Sequence, residues 1–220
     1  MRDGFIRLRQ TARSARHFSE LVRFLSVFFV YSAGLTSVIA FAAVFAVNTL
    51  GFTDSELRIL FIVLQLSSAG GALGFGAIQD RLGAPRTIQV TLVLWVLVCT
   101  GVYLVQTKGA FWGVALCAGL GIGSLQSASR ALVGLFAPPE KTAEFFGLWG
   151  LAGKAAYMVG PLSFGLLSSA TGSQRIAILS TAGFFILGLI GMSFIDERRG
   201  LAAARAWHER VGEHLDEVIA

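Results

Sequence analysis

The stretch Gly76-Ala-Ile-Gln-Asp80-Arg81-Leu-Gly83-Ala-Pro85-Arg86 decides how the chain is folded. Apolar residues run up to it from Leu57 to Ile78 and away from it from Ile88 to Gln106. Between them stand small residues, an acid, a base, a glycine, a proline and a second base. So short a polar interval leaves room only for a tight bend between two neighbouring helices. Gly83 tolerates the positive φ that such a bend often needs. Asp80 is placed to meet a helix N-terminus, where the peptide dipoles favour negative charge. An Asp80–Arg81 pair there latches two helix ends in one conformation and frees them in another. A plain charged turn demanded by the topology reads equally well.

Outward from the bend, the same alternation repeats. Apolar runs span 24–47, 57–78, 88–106, 111–136, 143–169 and 175–195. Each is long enough at 1.5 Å per residue to cross about 30 Å of hydrocarbon. Nothing alternates with the two-residue period of a membrane barrel strand. The composition agrees. Of 220 residues, 55% are hydrophobic and 14% charged, against about 45–50% and 25% in a soluble domain. Mean hydropathy is +0.70. The expected fold is an all-α membrane domain of six transmembrane helices. A basic amphipathic segment (1–23) precedes it, with Phe5, Leu8, Ala12, Ala15 and Phe18 at helical spacing. An amphipathic tail (196–220) follows, with Trp207, Val211, Leu215 and Ile219 on one face. The first 23 residues are broken by charges and do not read as a signal peptide. Cys99 and Cys117 lie within apolar runs and read as small buried residues rather than a disulfide or zinc site.

Six spans return the chain to the side it started from. Thirteen Lys and Arg residues flank the spans on that terminal side, against Arg58, Lys108 and Arg175 on the other. By the positive-inside rule both termini are cytoplasmic. The formal charge of +5 is therefore an orientation signal, and a nucleic-acid partner is not indicated. Arg130 and Lys154 remain inside spans, where a cation costs about 2.5–3.5 kcal/mol on insertion scales. Such residues face a bundle interior or a watery cavity. Arg130 shares a helix face with Gln126, four residues earlier. It reads as an anion contact or gate, or as a structural pair near the cytoplasmic end. Lys154, with Tyr157 one turn on, reads as a cation in a solute path, or as a buried pair with an acid. Gly160-Pro161 removes a backbone hydrogen bond and predicts a helix bend. Glycines at 70, 71, 74, 76, 119, 121 and 123 predict close helix contacts. His17, His208 and His214 lie in the terminal segments, so no metal site is expected. No cofactor motif or nucleophile constellation supports an enzyme.

Gly76, Asp80, Arg81, Gly83 and Arg86 together are similar to the loop signature of major facilitator superfamily transporters. There the signature follows the second helix of each six-helix half, as it follows the second apolar run here. A second stretch resembles the Atg22-like (UMF1) branch of that superfamily. It comprises Gly121, Gly123, Gln126, Ser127, Ser129 and Arg130, then Pro138-Pro139-Glu140, Glu144 to Leu148, Lys154, Gly160-Pro161 and Thr171 to Arg175. The resemblance implies one half of a transporter bundle, the C-terminal one. It implies secondary transport of a small solute by alternating access, with amino-acid efflux as the activity. The substrate path or gate then includes Gln126, Arg130, Lys154, Tyr157 and Tyr31. A half lines the midplane site but does not enclose it. The expected partners are the solute, the lipid bilayer and a second six-helix half, either from a longer chain of which this is a fragment or from another chain. The expected location is a bacterial cell membrane. In the branch's first helix of this half, Tyr is followed by an Asn/Asp-Asp pair and Gly. Here Tyr31, Gly34 and Thr36 are kept without the acid, so any cation coupling that rests on that acid is missing from this helix. The rival expectation is a membrane assembly subunit that kept the fold without transporting.

Overall fold

A computed structural model describes residues 18–219, with side chains described through residue 210. The basic segment upstream of residue 18, with His17, lies outside the described residues, as does the side chain of His214. Seven α-helices appear among them: α1 Ser19–Leu50, α2 Asp54–Leu82, α3 Ala84–Leu104, α4 Lys108–Phe136, α5 Thr142–Thr171, α6 Gln174–Met192 and α7 Glu197–Ile219. A 3-10 turn, Pro139–Lys141, joins α4 to α5.

Local sequence sets the boundaries. Thr53-Asp-Ser-Glu56 is a capping box at the start of α2: Glu56 N donates to Thr53 Oγ1 at 3.3 Å, and Thr53 N donates to Glu56 Oε2 at 2.7 Å. Thr107 and Ser173 cap α4 and α6 in the simpler way. The bend between α2 and α3 is a single residue. Gly83 sits at φ 83°, ψ 159°, a region essentially closed to side-chain-bearing residues. Pro85 then opens α3, where its missing N–H costs nothing.

Five helices (α1, α2, α3, α4 and α6) are long and apolar enough to cross a membrane. α5 has 30 residues but falls short in apolarity, because Lys154, Trp149, Tyr157, Pro161 and its glycines dilute it. α5 continues as a helix through Pro161. α1 packs on α5 and α6, α4 packs on α2 and α3, and α3 packs on α6.

Lipid tails are as apolar as leucine, so helices in a membrane associate through close packing more than through the hydrophobic effect. Small residues make that packing here. A Cβ on Gly71 would strike the Leu120 backbone, on Gly123 the Ser68 backbone, and on Gly119 the Ser67 side chain. The contact between α2 and α4 is thus glycine-lined. Gly121 accepts the Trp95 ring at the same spacing one face over. Gly74 and Gly76 instead face open space, so only part of the glycine pattern serves this packing. Cys99 is buried, but Cys117 is exposed on α4, contrary to expectation. An outward position on such a helix is as apolar as an inward one, and residue type alone does not separate them.

α7 straps one end of the bundle. Asp196 Oδ1 caps it, accepting from Arg198 N at 2.9 Å and Arg199 N at 3.2 Å. Glu20, nearly fully buried at the start of α1, accepts from Asp196 N at 3.0 Å and from Arg23 at 2.6 Å. Trp207 packs on Phe18 with centroids 5.5 Å apart, Phe18 packs on Phe145 at 5.1 Å, and Lys141 Nζ stands 4.5 Å from the Trp207 ring. His208 Nδ1 is hydrogen-bonded to Glu140 Oε1. Glu140 is held below the usual carboxylate range, first by its own backbone N–H and then by His208. At the opposite end, Arg175 of α6 donates to the carbonyls of Tyr103 and Val105 at 2.7 and 2.6 Å. It thereby satisfies the C-terminus of α3.

Candidate functional site

Three helices present one face each to a common concavity. α1 supplies Tyr31, Ser32, Leu35 and Thr36; α4 supplies Gln126 and Ser129; α5 supplies Trp149, Gly150, Gly153, Lys154 and Tyr157. Gly150, Gly153, Lys154 and Tyr157 fall at i, i+3, i+4 and i+7, one face of a helix, with Trp149 at its edge. The cavity holds about 240 Å³ and opens to one side. Ligand pockets that enclose a small molecule run from about 300 to 1,000 Å³, so this cavity lies a little under that range.

The buried polar groups of the cavity are hydrogen-bonded. Ser129 donates to the Leu125 carbonyl within α4, so Tyr31, fully buried, donates its hydroxyl to Ser129 Oγ at 2.7 Å. Thr36 Oγ1 lies 3.1 Å from the Ala33 carbonyl and 3.2 Å from the Ala156 carbonyl. That contact joins α1 to α5 beside Gly160, where a Cβ would meet the Ala33 backbone. Gly160 is therefore the close-contact residue of this crossing, and its neighbour Pro161 leaves the Tyr157 carbonyl without its helical donor.

The predicted path residues separate into two groups. Tyr31, Gln126, Lys154 and Tyr157 all line the one cavity. Lys154 and Gln126 are exposed on its open side, and Tyr157 is 63% exposed. Among the described residues Lys154 has no ion-pair partner. Arg130 lines a neighbouring concavity between α2 and α4, with Gln126 on the ridge between the two. Its guanidinium stands 5.7 Å from the Trp149 ring, a cation–π contact that steers it toward α5. Trp149 also lines the cavity, and the sequence did not single it out; Thr36 and Ser129 line it too and were named only within the family-like stretches. Trp149 stands one turn before Gly153 on α5, and that i, i+4 spacing was the available signal.

The loop residues lie apart from this wall. Asp80, Arg81 and Arg86 are exposed. Among the described residues Asp80 forms no ion pair with Arg81 or any other base. The place at the α3 N-terminus is taken by Glu197, whose carboxylate lies over Gly83. The acid that meets the dipole therefore comes from the start of α7, more than a hundred residues away in the chain.

With this geometry, the chain matches over residues 1–205 the family described as "Vacuole effluxer Atg22 like". It is 28% identical over 195 residues to the uncharacterized MFS-type transporter YxiO of Bacillus subtilis, covering 89% of this chain and 45% of that protein. It is 26% identical over 208 residues to Autophagy-related protein 22-1 of Aspergillus niger, covering 88% and 34%. To Autophagy-related protein 22 of Kluyveromyces lactis it is 27% identical over 216 residues, covering 93% and 44%. It thus spans less than half the length of these relatives. The apolar helices and these relatives together identify an integral, multi-pass membrane protein. The chain belongs to the Atg22-like effluxer family of major facilitator transporters, a family of transporters and not of enzymes.

Proposed function

We propose that the chain is one six-helix half of an alternating-access transporter that moves a small solute, with amino acids as the class and efflux as the direction. In this reading α5 crosses the bilayer with the five more apolar helices, because its lower apolarity belongs to the cavity face it presents. Both ends are cytoplasmic, the membrane is a bacterial cell membrane, and a second six-helix half closes the open side.

The observation that carries the proposal is Lys154. A lysine exposed on a cavity wall, without an acid among the described residues, is an available counter-charge for a solute carboxylate. Gln126 offers an amide donor and acceptor beside it. Phe28 and Trp149 offer apolar and π surface for the rest of the solute. Arg130, one concavity away, suits a gate or a second anion contact through its planar donor fork.

The test is amino-acid flux in proteoliposomes holding the full chain with its second half. Lys154→Ala is expected to abolish flux at unchanged membrane content, and Lys154→Arg to keep part of it. Unchanged flux in Lys154→Ala removes this lysine from the path. Absence of flux in the intact pair favours a non-transporting assembly subunit.

A further inference from the structure

A larger cavity, about 840 Å³, lies at the strapped end of the bundle, between the α2–α3 elbow and the junction of α6 with α7. Leu82, Arg86, Phe194, Asp196, Arg198 and Arg199 line it, with Glu197. The charges are not equally free. Asp196 is committed to the cap of α7 and to Arg199 at 3.4 Å. Glu197 is turned over Gly83 at the head of α3. Among the described residues the guanidinium groups of Arg86 and Arg198 have no hydrogen bond, ion pair or ring contact. Two unpaired arginines therefore face a roomy, open cavity.

Arg86 also stands at the head of an apolar stripe, and Arg198 just beyond the end of a second. Arg86, Val90, Val93 and Leu97 follow one another at helical spacing on α3, and the last three are 48%, 45% and 62% exposed. Leu187 and Ile190 on α6, and Phe194 in the turn after it, are 61%, 51% and 72% exposed, and the chain then reaches Arg198 in the first turn of α7. α3 and α6 pack side by side. The two stripes thus form an outward apolar surface that ends in two free guanidinium groups where the helices end.

We propose that this cavity binds the headgroup of an anionic membrane phospholipid, with its acyl chains along the α3 and α6 stripes. A free phosphate satisfies the arginines but leaves the stripes unused, whereas a lipid matches both. Arginine presents a planar fork of donors that suits phosphate oxygens, and basic pockets between spans on one membrane face are suited to anionic headgroups. The inference rests on α3 and α6 being embedded in the bilayer, as in the proposed function, but not on any solute being moved.

The test is native mass spectrometry of the full chain in neutral detergent, offered equal amounts of phosphatidylglycerol and phosphatidylcholine. Wild type is expected to retain phosphatidylglycerol preferentially. Arg86→Gln with Arg198→Gln is expected to cut that retention roughly thirtyfold, and Arg205→Gln to leave it unchanged. Salt near 1 M is expected to erode the preference in wild type as the Debye length shrinks to about 3 Å, which keeps the test decisive if the double variant misfolds. Equal retention of the two lipids by wild type, wild-type retention by a folded double variant, or displacement of the lipid by equimolar glycerol phosphate overturns the proposal. Lipid preference without flux leaves the site standing and counts against transport. Flux without lipid preference does the reverse.

Discussion

Tyr31 places a hydroxyl in the one spot where burying it is inexpensive. Ser129 is already committed to the Leu125 carbonyl, so its oxygen has a lone pair free to accept from Tyr31. Removing the hydroxyl leaves the ring packed against Gly188 and Phe28 and costs only the net value of one hydrogen bond. Tyr31→Phe is therefore expected to lower stability by about 1 kcal/mol, read as a modest drop in the melting temperature of the purified protein. A loss several times larger shows that Tyr31 holds more of α4 than this one bond. At the same scale Lys154 differs in kind. It touches nothing charged in the described chain, so its substitution is expected to change transport and not stability.

Between elements, the crossings of α1 with α5 and of α2 with α4 rest on missing side chains. Gly160→Ala puts a methyl group into the Ala33 backbone, which cannot rotate away, and against the Thr36 hydroxyl. The expected loss is at least the 1–3 kcal/mol typical of overpacking, visible as a lower unfolding midpoint in denaturing detergent. Gly74→Ala and Gly76→Ala meet open space and make the matched comparison. The helices were legible in the sequence because apolar length and polar interruption have no other reading. The packing glycines at 71, 119, 121 and 123 were legible as a group. Gly74 and Gly76 were not separable from them, since a small residue on an open face looks like one in a contact. The grouping of Tyr31, Gln126, Lys154 and Tyr157 was partly legible, because unpaired polar groups on otherwise apolar helices converge on a shared cavity. What stayed hidden were pairings between distant segments. That Glu197 and not Asp80 meets the α3 dipole, and that Glu20 is buried to hold α7, depends on how the tail folds back, which no local spacing encodes.

For the whole molecule, the two ends are tied differently. One end is closed by α7 through Trp207, Glu20 and the Glu140–His208 contact; the other by Arg175 and by the Lys108–Glu56 bridge at 2.7 Å. The Glu140 carboxyl is depressed in the folded state, so its contribution is present above the ordinary carboxylate value of about 4.3. It is lost as pH falls through the depressed value. Docking of α7, followed by Trp207 fluorescence against variants lacking the other tryptophans, is thus expected to hold steady at neutral pH and to loosen only in acid below that range. Loosening already between pH 7 and 5 assigns control of the strap to another group. The elbow at Gly83 has a consequence of a different sort, for biosynthesis. A single residue between two helices of 29 and 21 residues leaves no polar segment long enough to stay in water while one helix settles into the lipid. α2 and α3 are then expected to enter the bilayer as one unit, the orientation of the first setting that of the second.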